Sequence, residues 1–232
     1  MDTAVPETTT MIPVLEPGDQ LPRAEFERRY HAMPACKKAE LIEGVVYMPS
    51  PVRCESHGEP HIDLSTWLGV YKASTPGVRA ADNASNRLDL ENEPQPDCMM
   101  FIHPDNGGQV HISADDYIVG PPEFVAEVAG SSVAIDRGPK LRVFRRHGVN
   151  EYLIWRVEDR RLEWNVLRGS DYVLLKADSE GVLKSEVFPG LWLHAEALLS
   201  GDLAHVLSVL QQGLASAEHQ QFVERLRLRK QS

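Results

Sequence analysis

One stretch constrains this chain more than any other: residues 121–147, PPEFVAEVAGSSVAIDRGPKLRVFRRH. Within it, Phe124-Val125-Ala126-Glu127-Val128-Ala129 reads as a short strand, apolar except for one carboxylate. Such runs suit strands covered on both faces, although over so few residues periodicity alone does not separate a strand from a buried helical segment. An ionised Glu inside that strand is costly unless it meets a cation, a metal or water, or gives up its charge by protonation. A helix carrying Lys140 follows within a few residues. Any fold for this chain has to find Glu127 a partner.

The 232 residues suffice for one generous domain or two small ones, and no Gly/Ser-rich or charge-rich linker divides the middle. We expect a loose arm over residues 1–20, rich in Thr, Pro and acid, a main domain over 21–200 and a helical extension over 201–232. The net charge of -10 is unlike that of a protein relying on diffuse attraction to nucleic acid, so any such contact has to rest on a local cluster. The most basic part holds Arg137, Lys140, Arg142, Arg145 and Arg146, with Arg156, Arg160 and Arg161 soon after. Arg142, Arg145 and Arg146 are spaced to share a helix face; the bland reading of such residues is a solvated surface. Cys36, Cys54 and Cys98 lack CxxC spacing, which argues for a reducing compartment and against a disulfide framework or structural zinc. With no signal-like start and no apolar run of membrane-spanning length, a cytoplasmic protein without membrane contact is expected.

Along the chain, residues 21–33 read as a helix, and 39–48 as two strand halves around a Glu43-Gly44 turn or bulge. From Glu55 the pattern turns helical, with Ile62, Leu64, Trp67, Leu68 and Tyr71 as its apolar stripe and Pro60 in the first turn. Polar strand-like material over 78–90 leads to a buried-looking strand over 97–102 that opens on Asp97. After the central helix, Gly148-Val149-Asn150 makes a stop, and 151–157 reads as the next strand. Residues 161–167 and 172–176 form a hairpin around Gly169-Ser170, and 182–188 adds a strand. Helical segments over 195–199, 202–214 and 216–230 close the chain. The sum is a mixed sheet flanked by helices, α/β or α+β. The four Trp read as core or edge packing.

Two buried-looking strands thus carry one acid each, Asp97 and Glu127. Carboxylates converging at one point repel unless a divalent cation lies between them. Hard cations such as Mg²⁺ favour such ligands and keep waters, one of which can attack a phosphodiester while a nearby lysine stabilises the transition state. Each residue also has an ordinary reading: an Asp after Pro is often a turn residue, and a strand Glu is often one half of an ion pair.

The ordered series of local motifs resembles the Uma-two-type restriction endonuclease family, within the PD-(D/E)XK nuclease superfamily. The pieces are Glu40-Leu41-Ile42-Glu43-Gly44, Met48-Pro49-Ser50-Pro51, His57 at a helix start, Pro96-Asp97, Pro121 through Val128, Ser131-Ser132, Asp136, Lys140, and Gly148 through Trp155. The resemblance implies a restriction-endonuclease-like mixed β-sheet flanked by helices, with an additional C-terminal hairpin and helices. It also implies a site with Asp97 and Glu127 as ligands of Mg²⁺ (or Mn²⁺), Glu40 as a further acid and Lys140 as the catalytic lysine. DNA would be the substrate, with His57, Arg142, Arg145 and Arg146 as candidate contacts; a homodimer would suit a double-strand cut. The chain departs from the pattern at Ala129, where the superfamily usually has its lysine, at Phe144, where the family often has Tyr, and at Pro139. Pro139 is compatible with Lys140 in the helix's first turn.

Two rival readings remain at this point. One is a nuclease-derived binding or regulatory domain without turnover. The other is a zinc hydrolase built on His57 and His61, four residues apart with Glu59 between them, although the order differs from HExxH and Pro60 disturbs the turn.

Overall fold

Helix α1 (Arg23–His31) leads into a hairpin of β1 (Glu40–Ile42) and β2 (Val45–Tyr47) in the computed structural model, which describes residues 11–49 and 51–230. Glu43 and Gly44 turn this hairpin with φ of 53° and 73°, the doubly left-handed geometry that matches strand twist in a two-residue turn. A π-type turn, Cys54–Gly58, runs directly into α2 (Glu59–Ser74), with Pro60 in its first turn. Leu64, Trp67, Leu68 and Tyr71 are buried, but Ile62 is 61% exposed. At 100° per residue Ile62 falls on the other side of the helix from Leu64, so the apolar stripe is narrower than its composition suggests.

Next come β3 (Val78–Asp82), β4 (Asn86–Arg87), β5 (Cys98–Ile102), β6 (His111–Ile112), β7 (Ile118–Val119) and β8 (Phe124–Ala129). A helical crossover of α3 (Val133–Ile135), a π segment Asp136–Lys140 and α4 (Leu141–His147) connects β8 to β9 (Glu151–Arg156). Then β10 (Arg161–Arg168), β11 (Asp171–Leu174), β12 (Val182–Lys184), β13 (Trp192–His194), α5 (Ala195–Leu199), α6 (Leu203–Leu214) and α7 (Ala217–Arg229) complete the chain. Among the described residues no helix is long and apolar enough to cross a membrane.

The main sheet has the order β11-β10-β9-β8-β5-β3. Its β8–β9 pair is parallel, as the intervening helix requires, and the remaining pairs are antiparallel. Period-two alternation divides the central strands between two cores. Cys98, Met100, Phe124, Ala126, Val128, Leu153 and Trp155 face the larger one, with α2, α6 and α7. Met99, Phe101, Val125, Ala129, Tyr152 and Ile154 face the smaller one, under Phe144 of α4. Glu127 takes its place between Val125 and Ala129, so the lone carboxylate points towards the crossover helix.

Two boundaries differ from expectation. Residues 11–20 are tied down: Leu15 is 3% exposed in a cluster with Phe26, Leu41 and Val46, the Gly18 N–H donates to the Val46 carbonyl at 2.8 Å, and Gln20 bridges to Val45. The first ten residues of the expected arm lie outside the described residues. The C-terminal helices are part of the main core, since Val206, Leu210, Phe222 and Leu226 pack in the same cluster as Trp67 and Phe124. Each buried side chain of that size contributes about 1.5–3 kcal/mol.

Candidate active site

Lys140 is the centre of a buried charge cluster. Its Nζ lies 2.8 Å from Oε1 of Glu127, 2.8 Å from Oε1 of Glu40 and 3.6 Å from Oδ1 of Asp136. Strand β1 supplies Glu40, which also accepts the Gln95 N–H at 2.7 Å; β8 supplies Glu127; the π segment supplies the other two. The helix starts at Val133, so Lys140 sits beyond its first turn, contrary to the expectation drawn from Pro139. The π segment explains this. Proline has no N–H and crowds the carbonyl four residues back, and a locally wider turn accommodates both defects.

Asp97 immediately precedes β5 and is locked to β8 in both directions. The Val128 N–H donates to Asp97 Oδ2 at 2.9 Å, and the Asp97 N–H donates to Glu127 Oε2 at 3.3 Å. Its Oδ1 lies 3.1 Å from Nζ of Lys38, which also donates to Asn83, and 3.6 Å from Nε2 of His57. The other ring nitrogen of His57 is 3.0 Å from the Val128 carbonyl. A carbonyl only accepts, so Nδ1 carries the hydrogen, and this bond holds the ring with Nε2 facing Asp97. The π-type turn that carries His57 crosses β8 closely: a Cβ on Gly130 would come within 2.9 Å of the Ser56 carbonyl oxygen, so only glycine fits there.

Burial pushes the Glu127 carboxyl well above its ordinary range; Lys140 opposes the shift, while Asp97, Asp136 and Glu40 reinforce it. Burial likewise raises Asp136 against the pull of Lys140. Burial acts the same way on Asp97, but Lys38, then His57 and the Val128 N–H outweigh it and hold this carboxyl below its usual value. For Lys140, burial favours the neutral amine, yet Glu127, Glu40 and Asp136 together keep it firmly protonated.

A divalent cation fits this cluster on its charges. Among the described residues, Glu40, Asp97, Glu127 and Asp136 face two ammonium groups, Lys38 and Lys140, with His57 at the edge of Asp97, and Asp136 Oδ1 is buried without a hydrogen bond. The interleaved lysines keep these oxygens from forming a tight group of three donors; among the described residues the one such group is His61, Asp82 and Cys98. Asp97 and Glu127 plus water is therefore the donor set on offer, and it suits a hard ion that keeps part of its hydration.

The four candidate catalytic residues, Glu40, Asp97, Glu127 and Lys140, thus converge, with His57 beside Asp97. Two further members had no site role in the sequence reading: Lys38, which it did not name, and Asp136, which it named only in the motif series. Lys38 lies two residues before Glu40, a spacing that puts both on one side of an extended chain, and Asp136 stands one helical turn before Lys140. The arginines do not share a face: Arg142 pairs with Glu43 at 2.6 Å, Arg146 lies 3.9 Å from Glu43 and 3.8 Å from Asp89, and Arg145 turns away to Asp171 at 2.8 Å. Positions 142 and 146 are a turn apart, whereas 145 is rotated by about 100° from 146. Denser positive charge occurs where Arg137, Arg156 and Arg161 gather on the buried Glu163, at 2.8, 2.8 and 3.5 Å. The pairing of His57 with His61 as zinc ligands is also corrected. His61 lies against Asp82 at 2.6 Å while His57 belongs to Asp97, because one is on the π-type turn and the other on the helix proper. Ala129 and Phe144, the departures from the family pattern, are both core residues, Phe144 packing on Tyr152 with ring centroids 4.9 Å apart.

A mixed sheet crossed by one helix, with acids at the start of β5 and within β8 and a lysine above them, defines the restriction-endonuclease-like class of nuclease folds. Within that class the chain belongs to the Uma2 family, whose profile, described as "Putative restriction endonuclease", matches residues 23–196. Among solved structures, a chain described as a putative nuclease belonging to DUF820 from Anabaena variabilis superposes with a TM-score of 0.56 at 13% identity. The match covers 75% of this chain and 97% of that one, and at this identity it is a likeness of fold. No curated protein matches the chain. Family membership supports a nuclease function.

Proposed function

We propose that this protein is a divalent-metal-dependent endonuclease that hydrolyses DNA phosphodiester bonds at the cluster of Glu40, Asp97, Glu127 and Lys140. The observation that carries this reading is the buried excess of carboxylates over ammonium groups around Glu127. Asp97 and Glu127 would hold Mg²⁺ or Mn²⁺, with their orientations fixed by the exchange of main-chain hydrogen bonds between them. When bound, the cation supplies charge neutralisation at the scissile phosphate and a water acidic enough to act as nucleophile. Lys140 orients the attacking water and stabilises the charge that develops on the phosphoryl oxygens. Glu40 holds Lys140 in place and is itself fixed by the Gln95 N–H. His57 presents Nε2 at the edge of Asp97, where it can contact a phosphate or its water. The group of Arg137, Arg156 and Arg161 is the main contact to the DNA backbone, since three guanidinium groups there share one buried carboxylate and Asp159. Arg142, Arg145 and Arg146 each have acidic partners and reach phosphate only by exchanging them.

The test is nicking of supercoiled plasmid in Mg²⁺ or Mn²⁺ by the wild type and by Asp97→Asn, Glu127→Gln and Lys140→Met. Cleavage should stop with chelator and fall by about 100-fold or more in each variant. Cleavage that survives both carboxylate substitutions locates the activity elsewhere. A folded wild type that binds DNA but cuts none of it identifies a binding domain instead.

A further inference from the structure

On the opposite face of β5 from Glu127, next to Asp97 in sequence, lies a second donor set of different chemistry. Antiparallel register sets Asp82 of β3 directly against Cys98 of β5, so their side chains leave the sheet on the same face. His61, in the first turn of α2, lies over that pair, with Nε2 2.6 Å from Asp82 Oδ1 and 3.2 Å from the Asp97 carbonyl oxygen. One nitrogen, one carboxylate oxygen and one sulfur, from His61, Asp82 and Cys98, all lie within 4.8 Å of one another. Ser65, a turn beyond His61 on the same helix, reaches the Cys98 sulfur with its Oγ at 3.4 Å.

We propose that His61, Asp82 and Cys98 bind one borderline divalent ion of the zinc class, as a structural ion that ties α2 to the β3–β5 pair behind Asp97. An ion pair between His61 and Asp82 accounts for two of the three groups, and the Ser65 contact and core packing account for the Cys98 sulfur; what points to an ion is that all three donors meet at one place. Donors about 2.0–2.3 Å from a tetrahedral ion stand roughly 3.3–3.8 Å apart. To take up that geometry the His61–Asp82 contact at 2.6 Å has to open, and any pair near the 4.8 Å limit has to close. The set is also graded from inside to outside. Cys98 is 2% exposed, His61 is half-buried and Asp82 is exposed, leaving the fourth position to water or to the Asp97 carbonyl. Donor chemistry separates this site from the carboxylate cluster. A sulfur–imidazole set selects zinc-class ions, and an all-oxygen set selects Mg²⁺ or Mn²⁺. The ion would fix the main chain at Asp97 from the side that the β8 hydrogen bonds do not hold. The site does not depend on the nuclease reading.

The full-length protein, stripped by chelation, is titrated with Co²⁺ and followed by absorbance. The expected result is a near-ultraviolet thiolate-to-cobalt band with tetrahedral visible bands, saturating at one ion per chain, discharged by Zn²⁺ and indifferent to Mg²⁺. Cys98→Ala and His61→Ala should abolish the band, whereas Cys36→Ala, Cys54→Ala and Glu127→Gln should keep it. A wild type without the band, or a band that persists in Cys98→Ala, overturns the site. Should Cys98→Ala fail to fold, His61→Ala decides: retention of the thiolate band at unchanged affinity overturns the proposal, and its loss in a folded variant supports it.

Discussion

The Nζ of Lys140 lies 2.8 Å from Oε1 of Glu127, a pair brought together across 13 residues by a helix that has to widen into a π turn to deliver it. Removing the lysine leaves Glu127, Glu40 and Asp136 facing one another in a buried site. Lys140→Met should therefore lose about 3–5 kcal/mol of stability, the usual cost of stripping one partner from a buried ion pair. Urea denaturation measures this directly. A loss below about 1 kcal/mol would mean that the charges around Glu127 are solvated and not locked together.

Neutralising Glu127 should act in the opposite direction. Burial holds its carboxyl well above the ordinary range, so the ionised form is a burden on the fold. Glu127→Gln is expected to melt at a higher temperature than the wild type in chelator, and to gain much less from millimolar Mg²⁺ or Mn²⁺. The wild type should gain clearly, because an ion that binds only the native state stabilises it by mass action. Equal metal-induced shifts in the two proteins would remove Glu127 from the ligand set.

Glu93 should make stability depend on pH. Burial, followed by its hydrogen bond to Glu27, raises this carboxyl from 4.5 to about 8, against Arg87 and Arg23. Ionised, its two oxygens have no hydrogen-bond partner; protonated, it donates to Glu27, which lies 2.7 Å from Arg87. The native state therefore holds a proton that the unfolded chain releases near pH 4.5. Its stabilising contribution is complete below that pH and is lost as pH rises towards about 8, after which the curve levels. Glu93→Gln should flatten that portion of the stability–pH curve, read by denaturant midpoints at several pH values. A parallel curve would show that Glu93 does not titrate in this window.

The arginines separate by the salt dependence of DNA affinity. Arg137→Ala should weaken binding to all sequences alike and lower the slope of log affinity against log salt by about 1. Arg142→Ala, which frees Glu43, should change stability by less than about 1 kcal/mol and move the slope less. The reverse order would put the DNA track along α4.

The fold was legible where local chemistry determines it. The apolar run of β8, the Glu43-Gly44 turn and the strand around Leu153 follow from composition and spacing. What escaped depended on contacts between distant segments. The spacing from Glu40 favours Lys38 over Lys37 as the inward lysine, but that its partner is Asp97 follows from how distant segments meet. That the C-terminal helices pack into the main core was not legible, because they resemble any amphipathic tail until Phe222 and Leu226 are seen there. The π turn at Pro139 was hidden too, because a proline within a helical pattern reads as a boundary. The candidate site residues came from the order of motifs along the chain; spacing alone left Glu127 as the partner of an unknown cation.

Under the proposed function, the crossed hydrogen bonds between Asp97 and β8 bear on when the protein can begin to cut. Each acid is oriented by the backbone of the other's strand, so a slip of one residue between β5 and β8 would displace both carboxylates at once. Under the proposed function, a chain without this register would lack the paired carboxylates and should not cut. If the proposed nuclease function holds, the sheet's register acts as a safety catch that is released only when folding is complete.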